Sequence, residues 1–505
     1  MTRWIDRIGI ACAIAAGLFA LGAQLATATH TALEFDESYN LQVPLNLYHF
    51  GRYQTWYDSP ILFPHQITTG PTVLLPIAAA FAVTGPSYRT ARGVLALFLL
   101  VGLWQAHRVA GRAAGRAGPF AFAAGALLFT LAPYTLWIAS LTLGELPSVC
   151  LLLVGLRLLD RSLGAGRGWT AFPAGLALGL AALAKVVALI GAAGMLAALP
   201  LAAELRGRRR HAWRLGVAAA VGLALPVVAW EAVMAAGLGG AGYVEHTRRF
   251  WMLMQFGGSG LGPDGLAPAP SIAQHVGALA SGMERPAWSI WGGLGLALAA
   301  VLWVALQRPR GYLYWGLTLS TAVYWTWWLR ISTWLSLRHL VSGYALTAFL
   351  LPIVAGVALT DRGAARASRA VPVTALVLAA LCLFPLRWPL PELSGTELRN
   401  QEAVARTAQL IHASDPLSEL WGFGWRQAPE LSFLAQLPFR DLTQHAPSPA
   451  AHNFFVFSGS SLFGPMTLSD YTTAHCETLV VHEGWSSLCR LRADAPQATD
   501  TIMHP

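Results

Sequence analysis

The run Ile67-Thr68-Thr69-Gly70-Pro71-Thr72-Val73-Leu74-Leu75-Pro76-Ile77-Ala78-Ala79-Ala80-Phe81-Ala82-Val83-Thr84 decides how this chain is threaded. It is apolar, and counting it as a membrane span or leaving it out switches the side of every later loop. Eleven other apolar runs surround it, at about residues 8–28, 86–106, 118–138, 146–159, 170–184, 186–203, 214–235, 287–306, 311–328, 340–359 and 370–386. Some are short for a crossing, which takes roughly 20 residues. With Ile67–Thr84 left out and the N-terminus inside, the inner loops collect Arg3, Arg7, Arg108, Arg112, Arg116, Arg157, Arg161, Arg167, Arg206, Arg208, Arg209, Arg210, Arg214, Arg308, Arg310, Arg362, Arg366 and Arg369. Only four acids join these 18 arginines on that side. Counting Ile67–Thr84 as a span places the arginine clusters outside, against the positive-inside rule. The sequence therefore predicts 11 spans, with Ile67–Thr84 a juxtamembrane or re-entrant helix on the outer side, tolerable if protein covers it.

Composition agrees. Of 505 residues only 12% are charged and 55% are hydrophobic, whereas soluble domains carry about 25% charge. A soluble enzyme and a disordered chain are both excluded. The net charge of +9 is unevenly held: residues 387–505 have 7 Arg against 12 acids, leaving 27 basic and 13 acidic groups in residues 1–386. The basicity is that of loops anchoring an inserted protein, so nucleic acid is not an expected partner. Arg3, Arg7 and the Ala26-Thr27-Ala28 step also fit a cleavable signal, but cleavage would leave the next acidic segment unanchored. Two domains are expected: an all-α polytopic membrane domain over 1–386 and a small outer α/β domain over 387–505. In the latter Glu397–Ala413 has helical spacing, and Asn453–Ser458 and Thr478–His482 read as strands. Cys12, Cys150 and Cys382 fall in spans as small apolar residues. Cys476 and Cys489 fall in the outer domain, where an oxidising compartment allows a disulfide.

The acids gather on the face that the arginine clusters avoid. Leu33-Glu34-Phe35-Asp36-Glu37-Ser38-Tyr39-Asn40 follows the first span. Its carboxylates either favour a helix dipole or supply a general base where a lipid-borne substrate meets water. His65, in Phe63-Pro64-His65-Gln66, is an interfacial anchor or a ligand. Glu145 stands in Leu143-Gly144-Glu145-Leu146-Pro147, with Pro147 suited to a first helical turn. An ionisable residue at that depth is a functional candidate. Lys185 closes Gly179-Leu180-Ala181-Ala182-Leu183-Ala184-Lys185 and is the single lysine beside 33 arginines. It either snorkels or offers a compact charge to a phosphate. In Tyr243-Val244-Glu245-His246-Thr247-Arg248-Arg249-Phe250-Trp251, His246 and Arg249 share a helix face, which suits a phosphoryl leaving group or an interfacial amphipathic helix. Arg330 and Arg338 flank Trp327, Trp328 and Trp334. The tryptophans read as an aromatic belt, the arginines as headgroup anchors or phosphate clamps.

In this order the segments resemble the GT-C superfamily of integral-membrane glycosyltransferases, in its aminoarabinose transferase and protein O-mannosyltransferase branch. The resemblance covers roughly residues 1–350. It rests on Asp36-Glu37 after the first span and on Phe63-Pro64-His65 leading through Phe81 to Arg92. Glu145 with Pro147, Lys185, and Val244-Glu245-His246-Thr247-Arg248-Arg249-Phe250 complete it. It implies a GT-C fold and a sugar donor linked to a polyprenyl phosphate, used on the outer face of a bacterial inner membrane. The N-terminus is then cytoplasmic and the C-terminal domain periplasmic. It implies Asp36 as the acceptor's base with Glu37 and Glu145 nearby, and Lys185, Arg249, Arg92 and Arg338 holding the donor phosphate. It further implies one divalent metal (Zn, Mg or Mn) at His246. The Glu-Lys-Pro motif of the aminoarabinose transferases reads Pro64-His65-Gln66 here. Either His65 substitutes as a ligand or this chain lacks the metal. The lost lysine of that motif also puts aminoarabinose specificity in doubt.

The chemistry is coherent without the family. Displacing a polyprenyl phosphate from an anomeric carbon needs a base on the incoming hydroxyl and cations on the leaving oxygens. One candidate base and no placed second carboxylate predict inversion. The expected activity is thus a hexosyl- or pentosyltransferase acting on a lipid, glycan or protein acceptor. The alternative is a lipid or polysaccharide transporter or flippase with charges lining a pathway. Against it, the ionisable residues collect at one face and no repeated halves are visible.

Overall fold

The computed structural model describes residues 2–55, 61–65, 67–165, 168–204, 209–256, 270–307, 311–332, 335, 337–360, 366–385, 395–422, 429–441, 452–458, 462–463, 466–467, 474–484 and 486–492. Gln66, Trp334, the expected domain boundary at 386–387, and Arg167, Arg206, Arg208, Arg308, Arg310 and Arg362 lie outside these residues. Among the described residues each of the eleven apolar runs is mostly helical, with breaks at 131–132 and 186–187. In chain order the helices are α1 (Thr2–His30), α2 (Phe35–Phe50), α3 (Pro71–Thr84), α4 (Tyr88–Ala114), α5 (Gly118–Thr130), α6 (Pro133–Ser140), α7 (Glu145–Ala165), α8 (Phe172–Ala184) and α9 (Ala188–Glu204). They continue with α10 (Arg209–Phe256), α11 (Ile272–Gly282), α12 (Ala287–Gln307), α13 (Tyr312–Arg330), α14 (Val341–Thr360), α15 (Arg366–Leu383), α16 (Thr396–Ser414) and α17 (Pro429–Ala435).

Local chemistry sets the ends that matter for the site. Glu34 caps α2, its carboxylate accepting from the amides of Asp36 (2.8 Å) and Glu37 (3.2 Å), and Gly51 ends the helix in the left-handed region (φ 65°). Ser87 caps α4. α10 is two helices joined at Gly239, whose φ of 69° breaks the ladder.

Among the described residues five helical stretches are long and apolar enough to cross a membrane alone: Trp4–His30, Tyr88–Thr130, His211–Met252, Ala287–Leu306 and Leu337–Thr360. Tyr134–Ser140 with Glu145–Ala165, bent by 93°, makes a sixth if the pair is one span. α3, α8, α9 and α15 are shorter apolar helices, completed by their neighbours: α8 lies on α10 and α7, α9 on α13, and α15 on α12. The decisive run is helical only over Pro71–Thr84. Its 14 residues extend about 21 Å at 1.5 Å each, no shorter than the 13 residues of α8, so its length does not set it apart from the other short apolar helices. Val73, Ile77 and Phe81 are fully buried in a cluster with Leu41 and Leu45 of α2, Tyr88 and Leu95 of α4, and Leu398 and Phe433 of the C-terminal segment. Protein covers this face of α3, while Leu75 and Val83 on the other face are exposed.

The C-terminal segment is α/β. β1 (Ser418–Gly422), β2 (Phe439–Asp441), β3 (His452–Ser458), β6 (Cys476–Glu483) and β7 (Ser486–Leu491) form a sheet of order β2-β1-β3-β7-β6, after a separate small hairpin of β4 (Leu462–Phe463) and β5 (Met466–Thr467). β1 runs parallel to β2 and β3, while β3, β7 and β6 are antiparallel. Cys476 and Cys489 form a disulfide between β6 and β7. α16 and α17 dock this layer on the helical domain. The Gln401 amide brackets Leu33 with two backbone hydrogen bonds (2.9 and 3.1 Å), Tyr88 donates to Glu402 (3.0 Å), and the ring of Phe433 lies 6.3 Å from that of Phe81.

Candidate active site

Three chain breaks meet at one end of the bundle. Thr69 pairs with Lys185 in a two-residue β-bridge, and the Gly70 amide donates to the Ala184 carbonyl (3.2 Å). A Cβ on Gly70 would overlap the carbonyl oxygen of Leu183, and one on Gly144 would overlap that of Ala184. Gly144 also needs its left-handed φ of 85°. Asn40 of α2 pins the junction, donating to Thr69 Oγ1 (3.0 Å) and the Thr142 carbonyl (2.6 Å). The segments before α3 and α7 and after α8 are thus one knot of backbone, with α2 laid against it.

Charges are set into that knot. Lys185, at the C-terminal end of α8, donates to Thr68 Oγ1 (2.9 Å), and its Nζ is 3.1 Å from Glu145 Oε1; both side chains are buried. Among the described residues neither oxygen of Glu145 accepts a well-directed hydrogen bond, so this carboxylate keeps acceptor capacity. Asp36 is ion-paired with Arg338, just before α14, with 30% and 20% of their side chains exposed. Glu34 is within electrostatic reach of Arg338, Glu37 and Lys185, and burial raises its carboxyl above the usual range although Arg338 opposes the shift. Half-buried His339 lies within reach of Arg338 and Lys185. Asp36, Glu145, Lys185 and Arg338 are therefore brought together. Asn40, Thr68, Thr142 and His339 were not singled out in the sequence. Only His339, next to Arg338, had a signal that could have drawn attention.

Glu37 and Arg92 are placed differently. They form a closed ion pair, 0% and 1% exposed, with Nε to Oε1 at 2.8 Å and Nη2 to Oε2 at 2.5 Å. Arg92 also donates to the carbonyls of Ala28 (2.8 Å), Thr31 (2.9 Å) and Ala32 (3.0 Å), satisfying the C-terminal end of α1. The Thr142 amide reaches Glu37 Oε1 at 3.3 Å. This pair ties α1, α2, α4 and the turn before α7 beneath the site.

His65, His246 and Arg249 form a second group, joined to the first by the few residues from His65 to Thr68. Phe63 is held between Tyr53 and Trp230, with ring centroids 5.5 and 5.7 Å away, and the rings of His65 and His246 are 6.3 Å apart. Burial, then Arg249 and His246, lowers the His65 imidazole to about 4, so it is neutral at pH 7. Arg249 is largely exposed and pairs with Glu245 (2.6 Å). The two imidazoles could begin a metal site, yet among the described residues no third His, Cys, Asp or Glu completes one. The residues present do not make a metal centre by themselves. Trp328 is also not the belt residue expected: it is fully buried, its ring 4.8 Å from that of His275.

No family model matches the chain, and no curated protein does. Solved structures do. The crystal structure of ArnT from Cupriavidus metallidurans bound to undecaprenyl phosphate matches with TM-score 0.63 and 13% identity, over 96% of this chain and 98% of that one. Its apo state matches with TM-score 0.59 and 13% identity, over 96% and 99%. The cryo-EM structure of arabinosyltransferase EmbB from Mycobacterium smegmatis, at TM-score 0.46 and 16% identity over 76% and 41%, is too distant to carry weight. At 13% identity the ArnT likeness speaks for architecture: this chain is a multi-pass membrane protein with the GT-C fold that the order of its motifs predicted.

Proposed function

We propose that the chain is a membrane glycosyltransferase that moves a sugar from a polyprenyl-phosphate donor to a lipid, glycan or protein acceptor, with inversion and with Asp36 as the base. The observation that carries this reading is the pairing of a partly open carboxylate, Asp36, with Arg338, within one knot that also holds Lys185 and Glu145. Of the three expected catalytic carboxylates, Glu37 is fully enclosed by Arg92 and Glu145 is buried against Lys185, which leaves Asp36 accessible to an incoming hydroxyl. In the reaction, the acceptor O–H gives its proton to Asp36 while its oxygen bonds the anomeric carbon. The bond from that carbon to the phosphate oxygen breaks, and the electron pair leaves on the polyprenyl phosphate. Arg338 and Lys185 face the charge that develops there, Arg249 meets the donor from the more exposed second group, and Glu145 takes a hydrogen bond from substrate. Arg92 with Glu37 positions α2 and so Asp36. No step needs a metal at His65 and His246, and these imidazoles line the donor side. The ArnT structure holding undecaprenyl phosphate supports a carrier lipid of this class for a chain of the same fold. We place the active face in the periplasm, because the arginine-rich loops belong on the cytoplasmic side.

The test is transfer in proteoliposomes supplied with polyprenyl-phosphate sugars, read as release of polyprenyl phosphate. Asp36→Asn should lower turnover about 10²–10⁴-fold while donor binding stays near wild type. Wild-type protein that moves lipid between leaflets without releasing polyprenyl phosphate from any donor would favour the transporter reading.

A further inference from the structure

A second set of cations lies at the far end of α4 and α7. Arg92 and Glu145 mark the active-site ends of these helices. Arg108 and Arg112 lie 16 and 20 residues beyond Arg92, and Arg157 and Arg161 lie 12 and 16 beyond Glu145. At 1.5 Å per residue, that puts them roughly 18–30 Å from the active-site end. Arg157 is within electrostatic reach of Arg161, Arg108 and Arg112, so the four guanidiniums converge from two neighbouring helices. Among the described residues Asp160 is ion-paired with Arg112, at 3.3 Å.

Arg157 is the informative member. It is only 8% exposed, its guanidinium lies over the indole of Trp104 at 5.0 Å, and among the described residues its buried Nη1 has no hydrogen-bond partner. A buried guanidinium N–H without an acceptor is costly, more so than a neutral donor, and three like charges nearby raise that cost. An arginine serving only as an anchor keeps its head exposed to the headgroup layer, which the buried Arg157 does not. Trp104, 54% exposed, closes one side of the group with its indole under the Arg157 guanidinium. A singly charged phosphate offers acceptor oxygens for Nη1 and negative charge for the four cations.

We infer that Arg108, Arg112, Arg157 and Arg161 form a binding site for an anionic phosphate group at the membrane face opposite the candidate active site, with Trp104 as its lipid-side wall. The chemistry is that of a phospholipid headgroup or of a free phosphate, and basic pockets between membrane helices serve such headgroups elsewhere.

The experiment is native mass spectrometry of the purified full chain, titrated with phosphatidylglycerol or phosphatidylcholine, each with and without millimolar inorganic phosphate. Wild type should retain phosphatidylglycerol and not phosphatidylcholine. Each arginine near an anionic lipid contributes roughly fivefold, so Arg157→Gln with Arg161→Gln should weaken retention about 25-fold. Arg161→Gln alone, an exposed change that leaves packing untouched, should weaken it about fivefold even if the double variant folds poorly. Arg214→Gln, an exposed arginine on α10, should leave it unchanged. Retention that survives inorganic phosphate supports the lipid source, and competition supports the free anion. Equal retention by wild type and Arg161→Gln, or no preference for phosphatidylglycerol, overturns the site.

Discussion

Replacing Glu37 separates support from chemistry at the candidate active site. Arg92 is 1% exposed and makes two bonds to Glu37 and three to the carbonyls of Ala28, Thr31 and Ala32. Glu37→Ala leaves that guanidinium buried without a counter-charge, which costs about 3–5 kcal/mol. Arg92→Ala strands the Glu37 carboxylate and also removes donors from three carbonyls, at about 1 kcal/mol each, so it should be at least as destabilising. Glu37→Gln with Arg92→Met removes both charges and should recover part of the loss, giving a coupling of about 2–3 kcal/mol between the two sites. The assay is denaturant unfolding in mixed micelles for the four proteins of the cycle, with transfer kinetics on those that fold. A positioning pair predicts coupled stability losses and a fall in turnover that follows the displacement of α2. An Arg92→Ala protein as stable as wild type, defective only in its KM for donor, would refute this and make Arg92 a phosphate contact.

Three further outcomes follow from the geometry. Lys185→Ala leaves Glu145 buried and unpaired, so it should cost about 3–5 kcal/mol and weaken donor use, while Lys185→Met with Glu145→Gln should restore stability without activity; unfolding and donor kinetics measured together decide it, and an unaffected Lys185→Ala protein would make Lys185 a bystander. Gly70→Ala forces a Cβ onto the Leu183 carbonyl and should lower stability by about 1–3 kcal/mol; unchanged thermal unfolding would mean the knot around Lys185 is not tight. Burial pushes the Glu430 carboxyl on α17 up to about 8, so the folded chain keeps a proton that the unfolded chain releases above the ordinary glutamate range. The unfolded state binds fewer protons there, stability falls as pH rises from about 4.5 to about 8, and Glu430→Gln should flatten that decline in unfolding measured across the range.

The sequence by itself determined what depends on composition and on order along the chain. Low charge and recurrent apolar runs made it a membrane protein, because a hydrocarbon solvent admits little else. The arginine count on alternate loops argued against Ile67–Thr84 as a span, and α3 is a short helix with one face packed on Phe433 and α2. The resemblance carried by the acidic and basic motifs implied the GT-C fold, and the spacing of 397–413, 453–458 and 478–482 located one helix and two strands of the C-terminal segment. Tertiary structure alone decided which charges meet. That Arg338 faces Asp36 across 302 positions, and that Arg92 is consumed by Glu37 and the end of α1, follows from helix packing and leaves no local pattern in the chain. The same holds for Asn40, Thr68 and Thr142, whose hydrogen bonds exist only once three chain breaks close on glycines small enough to let their backbones touch. A charge's type is written in the sequence, but its partner and its burial are properties of the fold.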